Sequence, residues 1–444
     1  MIALFRRVVL AGLLAVFAAM AVPALAADQD PPIVFVHGNG DTAGLWLTTI
    51  WRFESNGYDR NRLFAIDLKN PNARNVDATP QDGRSSTQEV MLQLSAYVDD
   101  VLKKTGATKV ALVGNSRGAN TIRNYVKNGG GAAKVSHVVL GGGVNHGVLV
   151  SDAALVGSEF NGSSDFMKQL NGGADEVVAG VKFMTIRSDK NDKYAQPDGM
   201  FLGMPGKPTG VNFDGPALKG ATNIVLPTID HRETSFSPQA FTATYKFITG
   251  RDPKKDVTRE AKPVLNGVVT GITAGAYDNV PVNGAKVDVY KIDAKTGDRQ
   301  GGKPVYSKTT GADGVWGPFT AQSGAYYEFV IEAPGQPVTH IYRSPFVRGS
   351  NYVYLRPGQV AKGDETAGSV VTMSRPRGYF GVDRDRMSLD GKPPAGVNTG
   401  VPGASTAKVV LPATPQRTVV AIFRSETIPT KNWPGQVTIA EFTN

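Results

Sequence analysis

One stretch limits the folds open to this chain of 444 residues more than any other. From Val110 to Val126 it reads "VALVGNSRGANTIRNYV": an apolar run of strand length, a serine between Gly114 and Gly118, and a helix-like segment. A serine at a strand-to-helix turn needs strained backbone angles to lift its hydroxyl off a sheet. A glycine on either side lets helix and strand pass close to it. The turn therefore demands strands followed by helices that cross back over a sheet. The flanking sequence agrees: "PPIVFVHG", "RLFAID", "VSHVVLGG", "KFMTIRS" and "TNIVLP" are further apolar strands, spaced by helical stretches. In "SSTQEVMLQLSAYVDDVLKKTG", Ser86 and Glu89 have capping-box spacing, Val90, Leu94, Tyr97, Val98 and Val101 share one face, and Gly106 ends the helix. "SPQAFTATYKFITG" is the last helix of the series. Apolar strands alternating with helices predict a parallel sheet covered on both faces.

That pattern runs through residues 27–250 and then stops. "RDPKKDVTREAKP" is charged and bounded by prolines, and residues 251–261 read as a linker. Beyond it come short β-type runs such as "GAKVDVYKID", "YYEFVIEA", "GSVVTMS" and "RTVVAIF", separated by turn signals. They predict all-β, sandwich-like modules over 262–360 and 361–444. At the other end, "MIALFRRVVLAGLLAVFAAMAVPALA" carries two arginines, an uncharged apolar run and the small-x-small ending Ala24-Leu25-Ala26. The apolar run of about 15 residues is short for a membrane span, so residues 1–26 read as a cleaved signal peptide and the protein as secreted or periplasmic. There is no cysteine, which excludes disulfides and a thiol nucleophile. Of the formal charge of +9, two units belong to Arg6 and Arg7; residues 251–444 hold 24 Lys/Arg against 17 Asp/Glu, the remaining +7. Scattered as they are, these charges read as a solubilising surface, the alternative being attraction to an anionic surface or polymer. No basic tract or recognition motif points to nucleic acid.

A serine alone is a poor nucleophile, so Ser116 needs a base and an orienting acid. In α/β-hydrolases, whose serine turn this one resembles, the acid and then the histidine follow the serine along the chain. His340 lies in a β-module, whereas His231, in "LPTIDHRETSF", follows a strand and precedes the last helix, where such a base must sit. The acid belongs after "KFMTIRS", where "SDKNDKYAQPDG" offers Asp189, Asp192 and Asp198. Asp192 opens a D-x-x-A-x-P run and is the first choice; Asp189, nearer the strand end, is the second. Oxyanion donors are expected from the backbone N–H of Arg117 and, in "FVHGNGDTAGLW", of Asn39. His37 reads as a loop-folding residue, His146 as a holder of loop geometry near the site, and His137 as a packed strand residue.

With these residues together, the N-terminal half resembles secreted lipases and esterases of the α/β-hydrolase superfamily, in particular the bacterial and archaeal lipases with a C-terminal β-domain. The blocks carrying the resemblance are "PIVFVHGNGD", "VGNSRGANTIRNYV", "LGGGVNHG", "SDKNDKYAQPDG" and "TIDHRETSF". The resemblance implies an α/β-hydrolase fold, hydrolysis of acyl esters or lipids, Ser116 as nucleophile, His231 as base, Asp192 as its partner and no cofactor; no metal-ligand cluster is visible. Two departures stand out. Asn115 replaces the common histidine before the serine. Arg117 follows it, where its charge either meets the acid end of a substrate or points into the helix surface. Residues 147–180 are longer than a sheet connection needs and read either as a lid or as a crossover helix. "GADGVWGPF" resembles transthyretin-like or carboxypeptidase-regulatory-like sandwiches, modules that bind or stabilise; a lipid-interface or polymer contact through the C-terminal β-region is expected of them. Trp316, Tyr326, Tyr327, Tyr352 and Tyr354 are either core or a binding face. A polyester depolymerase of the polyhydroxyalkanoate type is the alternative reading. A non-catalytic binding protein on a hydrolase scaffold is the reading from another class, against which the complete Ser, Asp and His set argues. Because everything needed for bond cleavage precedes Gly250, a chain ended near Pro253 is expected to keep its chemistry.

Overall fold

Alternate residues of each central strand face opposite sides of one sheet, and both sides are apolar, which is why helices cover both. The computed structural model describes residues 30–443; the signal peptide read over 1–26 lies outside the described residues. Six strands, β1 (Ile33–Val36), β2 (Leu63–Ile66), β3 (Val110–Asn115), β4 (Val135–Gly141), β5 (Lys182–Ser188) and β6 (Thr222–Leu226), form an all-parallel sheet in the order β2-β1-β3-β4-β5-β6. Val34, Val36, Leu112, Val138 and Leu140 pack on one face against helices α2 (Thr87–Thr105) and α3 (Arg117–Asn128). Ile33, Phe35, Val113, Val139 and Ile186 pack on the other, against α1 (Leu47–Ser55) and a C-terminal helix (Pro238–Thr249). Helix α2 is set by its own ends: the Ser86 hydroxyl accepts the Glu89 N–H, the Glu89 carboxylate accepts the Ser86 N–H, and Gly106 closes it at φ 67°. The strand order reverses between β1 and β3. In open parallel sheets the crevice at the carboxyl ends of such strands is where ligands bind, and here it is bounded by the loop after β1 and by Ser116.

The second half is a seven-stranded sheet. Its strands are β7 (Lys286–Ile292), β8 (Tyr306–Thr309), β9 (Tyr326–Glu332), β10 (Thr339–Arg343), β11 (Ser369–Ser374), β12 (Thr406–Leu411) and β13 (Val437–Glu441), in the order β8-β7-β9-β10-β13-β11-β12. Strands from both 262–360 and 361–444 lie in this one sheet, because β13 pairs in parallel with β10 on one side and β11 on the other. A three-stranded antiparallel sheet of Met387–Leu389, Thr418–Phe423 and Glu426–Lys431 shares a core with its far end.

The two halves share a core. Leu47 and Trp51 of α1 pack with Trp316, Phe329 and Val353 of the β-region, and the Trp51 indole donates to the Gly349 carbonyl at 2.8 Å. Trp316 and Tyr327 are buried, while the Tyr352 hydroxyl accepts the Ala65 N–H of β2 and the Tyr354 hydroxyl bonds Asp67. The 251–261 segment lies along the end of α1, where Asn56 and Lys254 exchange two hydrogen bonds of 2.7 and 2.9 Å. Most of the basic residues of 251–444 are exposed, as a solubilising surface requires, but Arg343, Arg375 and Arg377 are buried. Arg375 reaches Asp230 at 2.7 Å and Glu233 at 2.5 Å, both acids of the α/β half.

This docking reverses the expectation for a chain ended at Pro253. Such a chain exposes Leu47 and Trp51 and leaves two buried carboxylates without their arginines. Breaking a buried ion pair from one side costs about 3–5 kcal/mol, against about 5–15 kcal/mol of total stability for a domain. The truncated chain is expected to melt without a cooperative transition, or at least about 10 °C lower, by circular dichroism. A cooperative melt within a few degrees of the full chain would show the halves to be independent.

Candidate active site

The turn at Ser116 is tight because two glycines remove side chains that would collide. A Cβ on Gly118 would stand 2.5 Å from the Val36 carbonyl oxygen and 2.6 Å from that of His37; one on Gly114 would stand 2.6 Å from Ile122 Cδ1. Helix α3 therefore begins directly over the end of β1. Ser116 pays for the turn with φ 53° and ψ −120°, a region that disfavours side chains. Its N–H is held by the Gly141 carbonyl at 3.0 Å.

His231 reaches the same crevice from the loop after β6. Its Nδ1 lies 2.9 Å from Asp192 Oδ2, and its carbonyl accepts from Thr234 Oγ1 at 2.6 Å and from Asn115 Nδ2 at 3.3 Å. The Tyr194 ring meets the imidazole edge to face at 4.7 Å. With Nδ1–H donated to the carboxylate, the Nε2 lone pair is the free acceptor; buried, it has no hydrogen-bond partner among the described residues. Ser116 and His231 line one cavity of about 150 Å3. The other oxygen of Asp192 accepts the Tyr194 N–H at 2.8 Å.

Asp189 does a different job. It accepts from the N–H of Thr228 at 2.9 Å and of Asn191 at 3.1 Å, clasping the loops after β5 and β6. Burial works to raise its carboxyl, and those hydrogen bonds outweigh burial and hold it low. Asn39 lines the cavity beside Gly38, and its side-chain oxygen accepts the Ala73 N–H at 2.7 Å, tethering the loop. The Arg117 N–H is among the first four of α3, which have no partner within the helix. His37 is buried between the Leu68 N–H, 3.1 Å from its Nε2, and the Gly38 carbonyl, 2.9 Å from its Nδ1, so it folds the loop. Burial lowers its pKa. His146 pairs with Glu176 at 3.0 Å, and His137 packs edge-on against Phe247; His340 is buried against Glu328 in the β-sheet.

The two departures from the resemblance find their reasons in packing. Asn115 is buried and joins the Gly141 and His231 carbonyls, tying the serine turn to the histidine loop. The Arg117 side chain neither reaches the cavity nor lies on the helix surface. It is fully buried, bonded to Glu159, to the Pro71 carbonyl at 2.9 Å and to the Ser85 carbonyl at 2.7 Å. Glu159 belongs to the 147–180 stretch, which both lines the cavity and carries a helix. Val148, Leu155 and Phe160 cover the cavity, and a short helix, Asp165–Asn171, follows.

Several residues of the site were not singled out in the sequence. Asp41, Arg232, Tyr194 and Tyr379 all line the cavity, with Arg232 and Asp41 paired at 3.2 Å. Tyr379 comes from the C-terminal third and carries the Lys193 ammonium over its ring at 4.0 Å. Its only signal is the run "SRPRGYF", whose arginines look like surface charge.

Comparison with known proteins gives two family matches. The model described as lipase (class 2) matches residues 30–198, and the one described as lipase C-terminal domain matches residues 265–360. Together they take in more than half the chain; the first includes Ser116 and Asp192 and ends before His231. Among solved structures, Bacillus licheniformis lipase BlEst2 in its propeptide form is 15% identical, with a TM-score of 0.37 over 91% of this chain and 93% of that one. Its mature form is 21% identical, with a TM-score of 0.34 over 50% and 90%. Aspergillus fumigatus lipase B is 17% identical, with a TM-score of 0.35 over 52% of this chain and 54% of that one, so this chain spans about half its length.

The burial of Arg117 has a measurable consequence. Arg117→Met leaves Glu159 buried without its cation and is expected to lower stability by about 3–5 kcal/mol in urea unfolding. The ratio of kcat/KM on an anionic ester to that on its neutral analogue is expected to stay unchanged. A changed ratio at unchanged stability would mean that Arg117 meets the substrate.

Proposed function

We infer the chemistry from one premise: the chain is an α/β-hydrolase lipase with a C-terminal β-domain, and so a carboxylic ester hydrolase. We propose that Ser116, His231 and Asp192 form its triad. The Ser116 hydroxyl attacks the ester carbonyl while His231 Nε2 takes its proton. The N–H groups of Asn39 and Arg117 donate to the oxyanion of the tetrahedral intermediate. Collapse releases the alcohol, protonated by His231, and leaves an acyl-enzyme on Ser116. Water, deprotonated by His231, then releases the acid. Asp192 keeps the imidazole in the tautomer that accepts the proton and steadies its charged form. The observation that carries this reading is the 2.9 Å bond from His231 Nδ1 to Asp192, with Nε2 unpartnered beside the cavity that Ser116 lines.

The cavity also bears on the substrate. Val144, Val148, Leu155, Phe160 and Leu202 make an apolar wall suited to an acyl chain. Its volume of about 150 Å3 lies below the ~300–1,000 Å3 of drug-sized ligand sites, which favours short acyl chains. The leader, with its paired arginines, apolar run and Ala24-Leu25-Ala26, supports action outside the cytoplasm.

Ser116→Ala is expected to fold normally, to lower kcat by roughly 10⁴–10⁶ and to abolish labelling by a fluorophosphonate probe. Activity within tenfold of the parent in the folded variant would rule out the mechanism. Asp192→Asn is expected to lower kcat by about 10⁴, with Asp189→Asn far milder at equal folded concentration; the reverse order would move the acid to Asp189. On p-nitrophenyl esters, kcat/KM is expected to peak at short chains and fall towards palmitate.

A further inference from the structure

A second cavity, of about 330 Å3, lies between the loop after β1 and the β-sheet, and its walls carry an excess of positive charge. Arg232, Arg343, Arg356 and Arg377 line it against two carboxylates, Asp41 and Glu441. Arg232 pairs with Asp41 at 3.2 Å and Arg343 with Glu441 at 2.8 Å. The other two guanidiniums make no direct ion pair with a carboxylate among the described residues; Asp41 and Asp67 act on Arg356, and Glu441 and Glu426 on Arg377, from farther away. Arg356 donates to the Gly40 carbonyl at 3.1 Å and to Asn279 Oδ1 at 2.8 Å. Arg377 donates to the carbonyls of Thr443 and Phe442, each at 2.8 Å. The Nε groups of Arg343 and Arg356 are buried with no hydrogen-bond partner among the described residues. For Arg356 and Arg377 these distant carboxylates do not make up for desolvation, so the positive charge on this wall is under-compensated. Burial lowers the pKa of Arg343, Arg356 and Arg377, the last to about 10.

We propose that this cavity binds a small oxyanion, a carboxylate or a phosphate, against Arg343, Arg356 and Arg377. Guanidinium forks match both groups, and the hydroxyls of Tyr277, Ser374 and Thr406 add donors along the same wall. Asp41 and Arg232 line both this cavity and the one holding Ser116, so the bound anion would sit one ion pair away from the loop that carries Asn39. The anion has two sources. It is either free phosphate or the carboxylate released when a short ester is cleaved.

The test uses the full chain, titrated with sodium phosphate, with sodium butyrate and, at matched ionic strength, with sodium chloride. Tm and calorimetric heats are followed. Phosphate or butyrate is expected to raise Tm saturably beyond chloride. Saturation by butyrate alone makes the acid product the ligand, and saturation by phosphate makes the site a general oxyanion site. Two variants locate it. Gln359→Glu adds a carboxylate at the exposed rim, and Arg356→Gln removes a fork; each is expected to weaken binding about tenfold. Should Arg356→Gln fail to fold, Gln359→Glu, at an exposed position, decides. No saturable binding of either anion, or binding of unchanged affinity in the folded variants, overturns the proposal.

Discussion

The structure hangs on a buried knot of charge beside His231. Asp230 and Glu233 bracket the histidine, and three arginines from the C-terminal third close on them: Arg375, Arg384 and Arg424. Burial works to raise the Glu233 carboxyl, and the three cations outweigh it, holding the group down to about 2. Asp230 further accepts the N–H groups of Arg232, Glu233 and Tyr379. A pair so placed stabilises the fold only while every member is present, since removing one strands the others without water. The histidine loop thus takes its shape from residues more than 140 positions further along the chain.

That dependence changes what the β-region is. It shares an apolar core with α1, caps the edge strand β2 through Tyr352, and contributes Tyr379 to the wall of the cavity that Ser116 lines. The mechanism proposed for Ser116 uses only groups from the α/β half, yet their geometry is held from outside it. Asn115 and Arg117 show the same economy within that half. Each flanks the serine, and each spends its polar atoms on carbonyls or a buried carboxylate that fix neighbouring loops.

Much of the fold and part of the site were legible in the chain. The strands, the capped helix from Ser86 to Gly106 and the serine turn all appear where the sequence pattern puts them. Asp189 and Asp192, three residues apart on one loop, could not be ranked by spacing alone; the fold turns Asp192 onto His231 and leaves Asp189 to clasp backbone. The arginines of "SRPRGYF" were misread as surface charge because nothing local distinguishes a solvated arginine from one that a distant carboxylate will bury.

The sequence by itself determined the layered α/β half, the strained serine and the chain order of serine, acid and histidine. Those features rest on periodicity, capping and the room that Gly114 and Gly118 leave, all of which act within a few residues. Only the tertiary structure decided that the two expected β-modules share one sheet, that Arg375 answers Asp230 across 145 residues, and that four arginines surround a second cavity. Pairing of strands and of buried charges is a property of two surfaces meeting. A chain read one segment at a time carries the halves of such contacts without saying which half goes where.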